Sequence, residues 1–251
     1  MKLLQYLIIF LLSFSSLTVA AQYDGEGVDE ISRFRPGSLW FYSGLIPFKE
    51  GKLRKYDRLM VDLTYNDWMG DLKPFNNQWG SIGVNTSFMW DIPMTEKNTA
   101  SFGIGLSHSF FRISNKYHSF TPDASNTFTV HQEGGSTPEL KHRYLGGNSL
   151  SVPIEFRFRT KGWKHFKVHI GGKVGYQLDA FAKNVYKDEF GKSVEKYRNF
   201  SDVSRLIYSA HLRIGIRNWA LFGSYNFNKI FKNDQSPNIH LLQMGLTLSL
   251  F

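Results

Sequence analysis

The chain closes on LLQMGLTLSLF, in which Leu242, Met244, Leu246, Leu248 and Leu250 alternate with Gln243, Gly245, Thr247 and Ser249. Successive side chains of a β-strand point to opposite faces, so this stretch has one apolar face and one face of small and polar residues. The same two-residue period recurs in Arg58–Trp68, Ser81–Ile92, Ala100–Ile113, Asn148–Arg159, His165–Ala182, Arg205–Ile216 and Trp219–Asn228. Alternation repeated this often confines the chain to an all-β fold whose strands share one apolar and one polar surface.

The connections are alternately long (69–80), short (93–99), very long (114–147), short (160–164), long (183–202), minimal (217–218) and intermediate (229–238). Short turns at one rim and long loops at the other are what an even-numbered up-and-down barrel produces. Each segment also reaches the roughly 9 to 11 residues that cross a bilayer at the usual strand tilt. The expected fold is an eight-stranded antiparallel up-and-down transmembrane β-barrel over residues 58–251.

Lipocalins are exported eight-stranded barrels too, and alternation alone does not say which face is inside. Four features favour apolar-out. The polar face is rich in Gly, Ser and Asn, as a narrow lumen requires. It carries both charge signs, Asp62, Asp91, Glu155 and Asp179 with Arg157, Lys167, Lys173, Arg205 and Arg213, as a lumen sealed by ion pairs would. Aromatics gather towards strand ends: Tyr65, Trp68, Phe110, Tyr208, Tyr225 and Phe227 near the long loops, and Trp90, Phe158, Trp163, Phe166 and Trp219 near the short turns. These are expected to form two interfacial girdles, and they account for much of an aromatic content of 16%. Finally, the chain stops on Phe251, similar to the assembly signal of outer-membrane barrels, although Phe251 shares parity with Ser249 and Thr247 rather than with the apolar face.

The opening MKLLQYLIIFLLSFSSLTVAAQ has the layout of a secretory signal peptide: an early Lys2, an apolar stretch and small residues before Gln22. Cleavage is expected near Ala21, giving a signal at 1–21. The apolar part is too short for a comfortable membrane span and lacks a basic stop-transfer run. With no cysteine, neither a lipoprotein anchor nor a disulfide framework is expected. Residues 22–57, punctuated by Gly and Pro, are expected to be an irregular periplasmic lead-in or lumen plug, in which SLWFYSGLI is a candidate extra strand. A net charge of +9 suits phosphate-bearing lipid or polysaccharide, and an exported protein rarely meets nucleic acid.

With the strands in place, the chain resembles the outer-membrane β-barrel proteins of Bacteroidota, the broad PorT-like group. The resemblance spans Arg58 to Phe251 and rests most on DRLMVDLTYNDW, FMWDIP, VPIEFRFRTK, VGYQLDAF, RIGIRNWALFGSYNFNKIFKND and HLLQMGLTLSLF. It implies an eight-stranded barrel without an open pore, in a group some of whose members support type IX secretion. It does not identify this chain as the secretion component.

Candidate chemistry is sparse. His108 is expected on the outer face, where a Ser two residues on would complete a deacylase pair, but position 110 is Phe, Ser107 and Ser109 face inward, and no carboxylate is placed to orient it. An interfacial polar role is therefore assigned to His108. His169 and His211 are expected in the lumenal ion-pair network, and Asp62, Glu155 and Asp179 are expected to neutralise lumenal bases. No metal-ligand cluster, CxxC, HExxH or phosphate loop occurs; GGKVG sits within a strand, where glycine relieves crowding. No catalytic residue, cofactor or metal is assigned.

Eight strands leave an interior just filled by side chains, so solute transport is not expected. Loops 114–147 and 183–202 are too long for simple connectors and mix Lys, Arg and His with Tyr and Phe. The function expected is a non-enzymatic outer-membrane barrel acting as an interaction or assembly accessory, with lipid, lipopolysaccharide or neighbouring envelope proteins as partners and a secretion system such as type IX among the machines it would serve. A lipid-modifying enzyme and a purely structural envelope protein are the alternatives.

Overall fold

The computed structural model describes residues 57–250 except 73–76, 96–98, 134–139, 161–165, 189–190 and 199. The expected signal peptide, the lead-in up to residue 56 with its candidate strand, Trp163 and Phe251 lie outside the described residues.

The strands are β1 (Leu59–Gly70), β2 (Ile82–Pro93), β3 (Ala100–Asn115), β4 (His118–Pro122), β5 (Thr129–Glu133), β6 (Leu140–Arg159), β7 (Phe166–Asp188), β8 (Gly191–Arg198), β9 (Leu206–Ile216), β10 (Trp219–Lys229) and β11 (Ile239–Ser249). Going round the sheet, β1, β2, β3, β6, β7, β9, β10 and β11 each pair antiparallel with the next. The first and last strands then pair without interruption from Met60↔Ser249 to Gly70↔Ile239. The result is a closed eight-stranded up-and-down barrel, with the strands in the order the sequence predicts.

The apolar face points outward. Leu63, Val174, Leu206, Leu221 and Ile170 are 61%, 57%, 58%, 57% and 52% exposed, whereas Asp62, Asn85, Ser101, Glu155, Arg157 and His169 are fully buried. Small inward residues make room for long ones. A Cβ at Gly103 would stand 2.8 Å from Arg157 Nε, and one at Gly171, in GGKVG, would stand 2.2 Å from the Ile154 carbonyl and 2.9 Å from Glu155 Cγ. At the short-turn end, β9 and β10 join through Arg217 and Asn218 alone; Arg217 adopts a left-handed φ of 55°, and Asn218 Nδ2 donates to the Ser249 carbonyl at 2.8 Å.

The long-loop end departs from the sequence reading. The wall of β3, β6 and β7 continues past the rim, and β8 adds a strand along its free edge from Phe181↔Arg198 to Asp188↔Gly191. The segment 183–202 is therefore largely strand rather than loop. The segment 114–147 likewise contains the end of β3, the β4–β5 hairpin and the start of β6. The β6–β7 register jumps from Ser149↔Gln177 to Asn148↔Asp179, leaving Leu178 as an extra residue. Parity inverts there: Ala180, Ala182 and Asn184 face inward, and Asp179 pairs with Asn148 on the outer side. Asp179 is thus not a lumenal carboxylate. Nor is Arg205 lumenal, because its Nη1 donates to the carbonyls of Gln177 and Leu178 at 3.4 and 3.3 Å, bracing the bulge.

Candidate interaction surface at the long-loop rim

The barrel interior has two layers. Towards the short turns it is ionic. Arg213 donates to both oxygens of Asp62 (3.1 and 2.9 Å) and, through Nη1, to Glu155. Glu155 also accepts from Arg157 Nε at 2.9 Å and lies 2.8 Å from His211 Nε2. Arg157 and Arg159 converge on Asp91 at 3.3 and 3.1 Å, and Ser101 adds a 2.6 Å hydrogen bond to that carboxylate. Asp57, with a left-handed φ of 52°, accepts from Lys167 Nζ at 2.7 Å, and its other oxygen is 3.5 Å from His169 Nε2. Lys173 and Arg213 sit over the Phe222 ring at 5.7 and 5.0 Å. Asp62, Asp91 and Glu155 therefore neutralise lumenal bases as expected. This layer is cross-linked from strand to strand, and among the described residues its charged groups are buried.

Towards the long loops the interior is apolar. Trp68, Phe111, Ile113, Leu145, Ile239 and Leu241 continue the inward-facing parity of their strands, and Phe120, Phe200, Val203 and Phe231 descend onto them from the connections. Trp68 meets the edges of His118 and Phe120 at 5.7 and 5.8 Å between ring centres; Phe231 lies 6.1 Å from Phe120 and 5.9 Å from Phe200. Trp68 is fully buried here and does not belong to the girdle in which its place near a strand end put it. It shares parity with Asp62, Thr64 and Asn66, which is the signal that would have located it.

Polar bonds lock this cap. Asp202 accepts from the backbone N–H and the hydroxyl of Thr129, both at 2.8 Å, and from Ser236. Asn233 Nδ2 donates to the Thr127 carbonyl at 3.1 Å, and Ser201 donates to that of Asn126. The β4–β5 hairpin is thereby fastened to the β8–β9 and β10–β11 connections. Its own turn is organised by Asp123, which accepts from the backbone N–H groups of Phe128 (3.0 Å) and Ser125 (3.1 Å). The Phe128 bond foremost holds the Asp123 carboxyl below its ordinary pKa. On the hairpin, His118 Nδ1 and His131 Nε2 are 2.9 Å apart. Burial is the first reason both imidazoles titrate below the usual histidine value; their mutual repulsion adds to this for His118, and Glu133 partly opposes it for both.

Between the hairpin (Ser119, Thr121, Gln132) and the wall (Arg143, Asn184, Tyr197) lies a polar cleft of about 390 Å³. Arg143 donates there to the Lys116 carbonyl. His108 stands on the outer face, its ladder neighbours Thr86 and Leu150, while Ser107 and Ser109 face inward and Ser107 Oγ accepts from Ser87 Oγ at 2.9 Å. Among the described residues no serine or carboxylate is hydrogen-bonded or ion-paired to His108. Among the described residues no cluster of three His, Cys, Asp or Glu side chains is arranged to hold a metal ion.

No family model and no curated protein matches the chain. Two crystal structures of Ail, the attachment invasion locus protein of Yersinia pestis, are similar to it. The one in complex with the heparin analogue sucrose octasulfate has 14% identity and a TM-score of 0.37, and the other 12% and 0.35; each comparison covers 76% of this chain and 95% of Ail.

Proposed function

We propose that the protein is an integral outer-membrane barrel, exported through the signal at 1–21, that spans the bilayer as a sealed, non-enzymatic scaffold and works through the surface it presents at its long-loop end. The observation that carries this reading is the outer wall. Contiguous exposed apolar side chains cover all eight barrel strands, far beyond the few hundred Å² that a water-soluble monomer tolerates. Along β10 the outward residues run from Trp219 to Phe227, roughly 27 Å of strand at 3.4 Å per residue. At the usual tilt of about 40° that is roughly 20 Å along the axis, close to the apolar band of a membrane barrel. Aromatics edge it as girdles do: Trp90, Phe158, Phe166 and Trp219 are half-exposed at one margin, and Tyr208, Tyr225 and Phe227 form a contacting row at the other.

A lumen packed with salt bridges and capped by an apolar knot supports a scaffold rather than a channel, and the reading assigns no catalytic residue, cofactor or metal. Surface molecules of the envelope, lipopolysaccharide first, are the proposed partners. Service to a larger assembly, such as a type IX secretion machine, is the finer form of the same reading. Two experiments test it. Reconstituted in phosphatidylcholine vesicles, the barrel is expected to be protected from protease over its strands, to shift its gel mobility on boiling, and to admit no small sugars; a protein that stays soluble and monomeric without detergent overturns the reading. A tag placed between Glu133 and Leu140 then reports co-purifying subunits from the native membrane. A solitary barrel rejects the accessory role and leaves the scaffold.

A further inference from the structure

Above the apolar belt, the outer face of the wall built by β3, β6, β7 and β8 changes character within one or two residues. Two ladder rows cross it: Arg112↔Gly146↔Phe181↔Arg198, and Ser114↔Tyr144↔Lys183↔Lys196. Ring contacts fix the face for Arg112 and Lys196, and ladder pairing places Lys183 and Arg198 on the same face. The Arg112 guanidinium lies 5.4 Å from the Tyr144 ring centre, and the Lys196 ammonium lies 5.0 Å from that of Phe181. Arg112 Nε also donates to the Gly80 carbonyl at 3.2 Å, beside Trp79, which is 79% exposed. Glu195 points to the other side with Tyr197, whose hydroxyl it accepts at 3.0 Å. Among the described residues no carboxylate lies within 4 Å of Arg112, Lys183, Lys196 or Arg198.

Directly below, on the same strands and the same face, Phe110, Leu150, Tyr176 and Leu178 form the upper margin of the belt. One outward position to the next along a strand is about 6.7 Å, so the cations begin at the depth where lipid phosphates sit above the hydrocarbon. We infer that this face binds the phosphate groups of outer-leaflet lipid, with Lys183, Lys196 and Arg198 contacting phosphate and Arg112, held by Tyr144 and Gly80, setting the lower edge of the site. The inference rests on the membrane-barrel reading. Continuity with the belt decides for a membrane lipid over a soluble polyanion, because a lipid engaging these cations buries its chains against Leu150, Tyr176 and Leu178 at the same time.

The test uses the full barrel in phosphatidylcholine nanodiscs doped with bis-phosphorylated lipid A or its dephosphorylated form, with the lipid retained per barrel after transfer to mild detergent counted by mass spectrometry. Wild type is expected to retain the phosphorylated form selectively. The Lys183→Gln/Lys196→Gln/Arg198→Gln variant should lose that retention by on the order of a hundredfold, near 1 kcal/mol per cation at a membrane surface. A Lys183→Arg/Lys196→Arg variant should keep it, as should Lys229→Gln/Lys232→Gln at the end of β10 and just beyond it. Equal retention of both lipid forms, or unchanged retention by the Gln variant, overturns the inference. Displacement of the lipid by micromolar inositol hexakisphosphate overturns the commitment to lipid in favour of a soluble polyanion. Failure of wild type to enter the nanodisc is a different result and overturns the membrane reading itself; heat-modifiability of each variant separates loss of binding from loss of fold.

Discussion

The lower and upper halves of the barrel interior are lined by the same strands, with the inward parity of β7 inverted at its bulge, yet they are held together in opposite ways. Below, Glu155 and Asp62 bind Arg213, Arg157 and His211 in a buried, cross-strand network. Above, Trp68, Phe120, Phe200 and Phe231 pack as a small apolar core closed by loops. The difference teaches that inward does not mean polar in such a barrel. The ionic layer joins strands to one another, so it governs whether the cylinder exists. The apolar layer joins connections to strands, so it governs only what the rim presents.

That contrast is broken most directly by Glu155→Ala, which leaves Arg213 and Arg157 buried without their shared carboxylate. Because Arg213 keeps Asp62 and Arg157 keeps Asp91, a loss of about 3 kcal/mol, the low end for breaking a buried ion pair, is expected, read as a drop in the urea midpoint of the whole heat-modifiable barrel. A change of less than about 1 kcal/mol would mean the ionic layer is not what holds the cylinder. Phe231→Ala should cost about 3 kcal/mol, the low end for a buried aromatic, but locally: protease should cut between His118 and Glu133 while the boiled and unboiled gel mobilities stay apart. If Phe231→Ala unfolds the barrel as a unit, the two layers are one cooperative structure. Asp202→Ala removes the acceptor of both Thr129 bonds and should weaken the same cap by about 2 kcal/mol, visible as faster amide exchange in β4 and β5 alone.

The smallest effect concerns pH. His118 and His131 titrate below the ordinary value of about 6.5 when docked, so an undocked hairpin binds more protons than a docked one as pH falls below that value. Docking is therefore fully supported above pH 6.5 and weakens as pH drops through the lowered pKa values. Exchange in β4 and β5 at pH 5 against pH 7.5 checks this, and a His118→Gln/His131→Gln variant should abolish the difference.

Strand number, order, orientation and the alternation of turn lengths were legible because one face of each strand is buried and a one-residue slip would turn every side chain over. Arg213, Glu155, Asp62 and Arg157 could be assigned to the lumen by parity alone. What escaped the sequence lies above the bulge at Leu178, where parity inverts and Asp179 leaves the lumen. The runs HSFTP and TVHQE are too short to register as strands, and β8 carries exposed charge in the manner of a protected edge. The cap aromatics are scattered over connections far apart in sequence, so no local pattern announces that Phe120, Phe200 and Phe231 meet. The basic wall was visible as net charge and as long loops that mix Lys, Arg and His with Tyr and Phe, but not as a surface, because its rows assemble from strands whose upper reaches the alternation had not revealed.

The unbroken pairing of β1 with β11 has a temporal side. Tyr65 cannot find Met244 until nearly the entire chain has been delivered, so the cylinder closes last, across the longest loop of polypeptide it contains. Until then the growing sheet carries two naked edges and an apolar flank, a species prone to add the wrong strand or another molecule. Such a protein is most exposed to misassembly after synthesis and before closure.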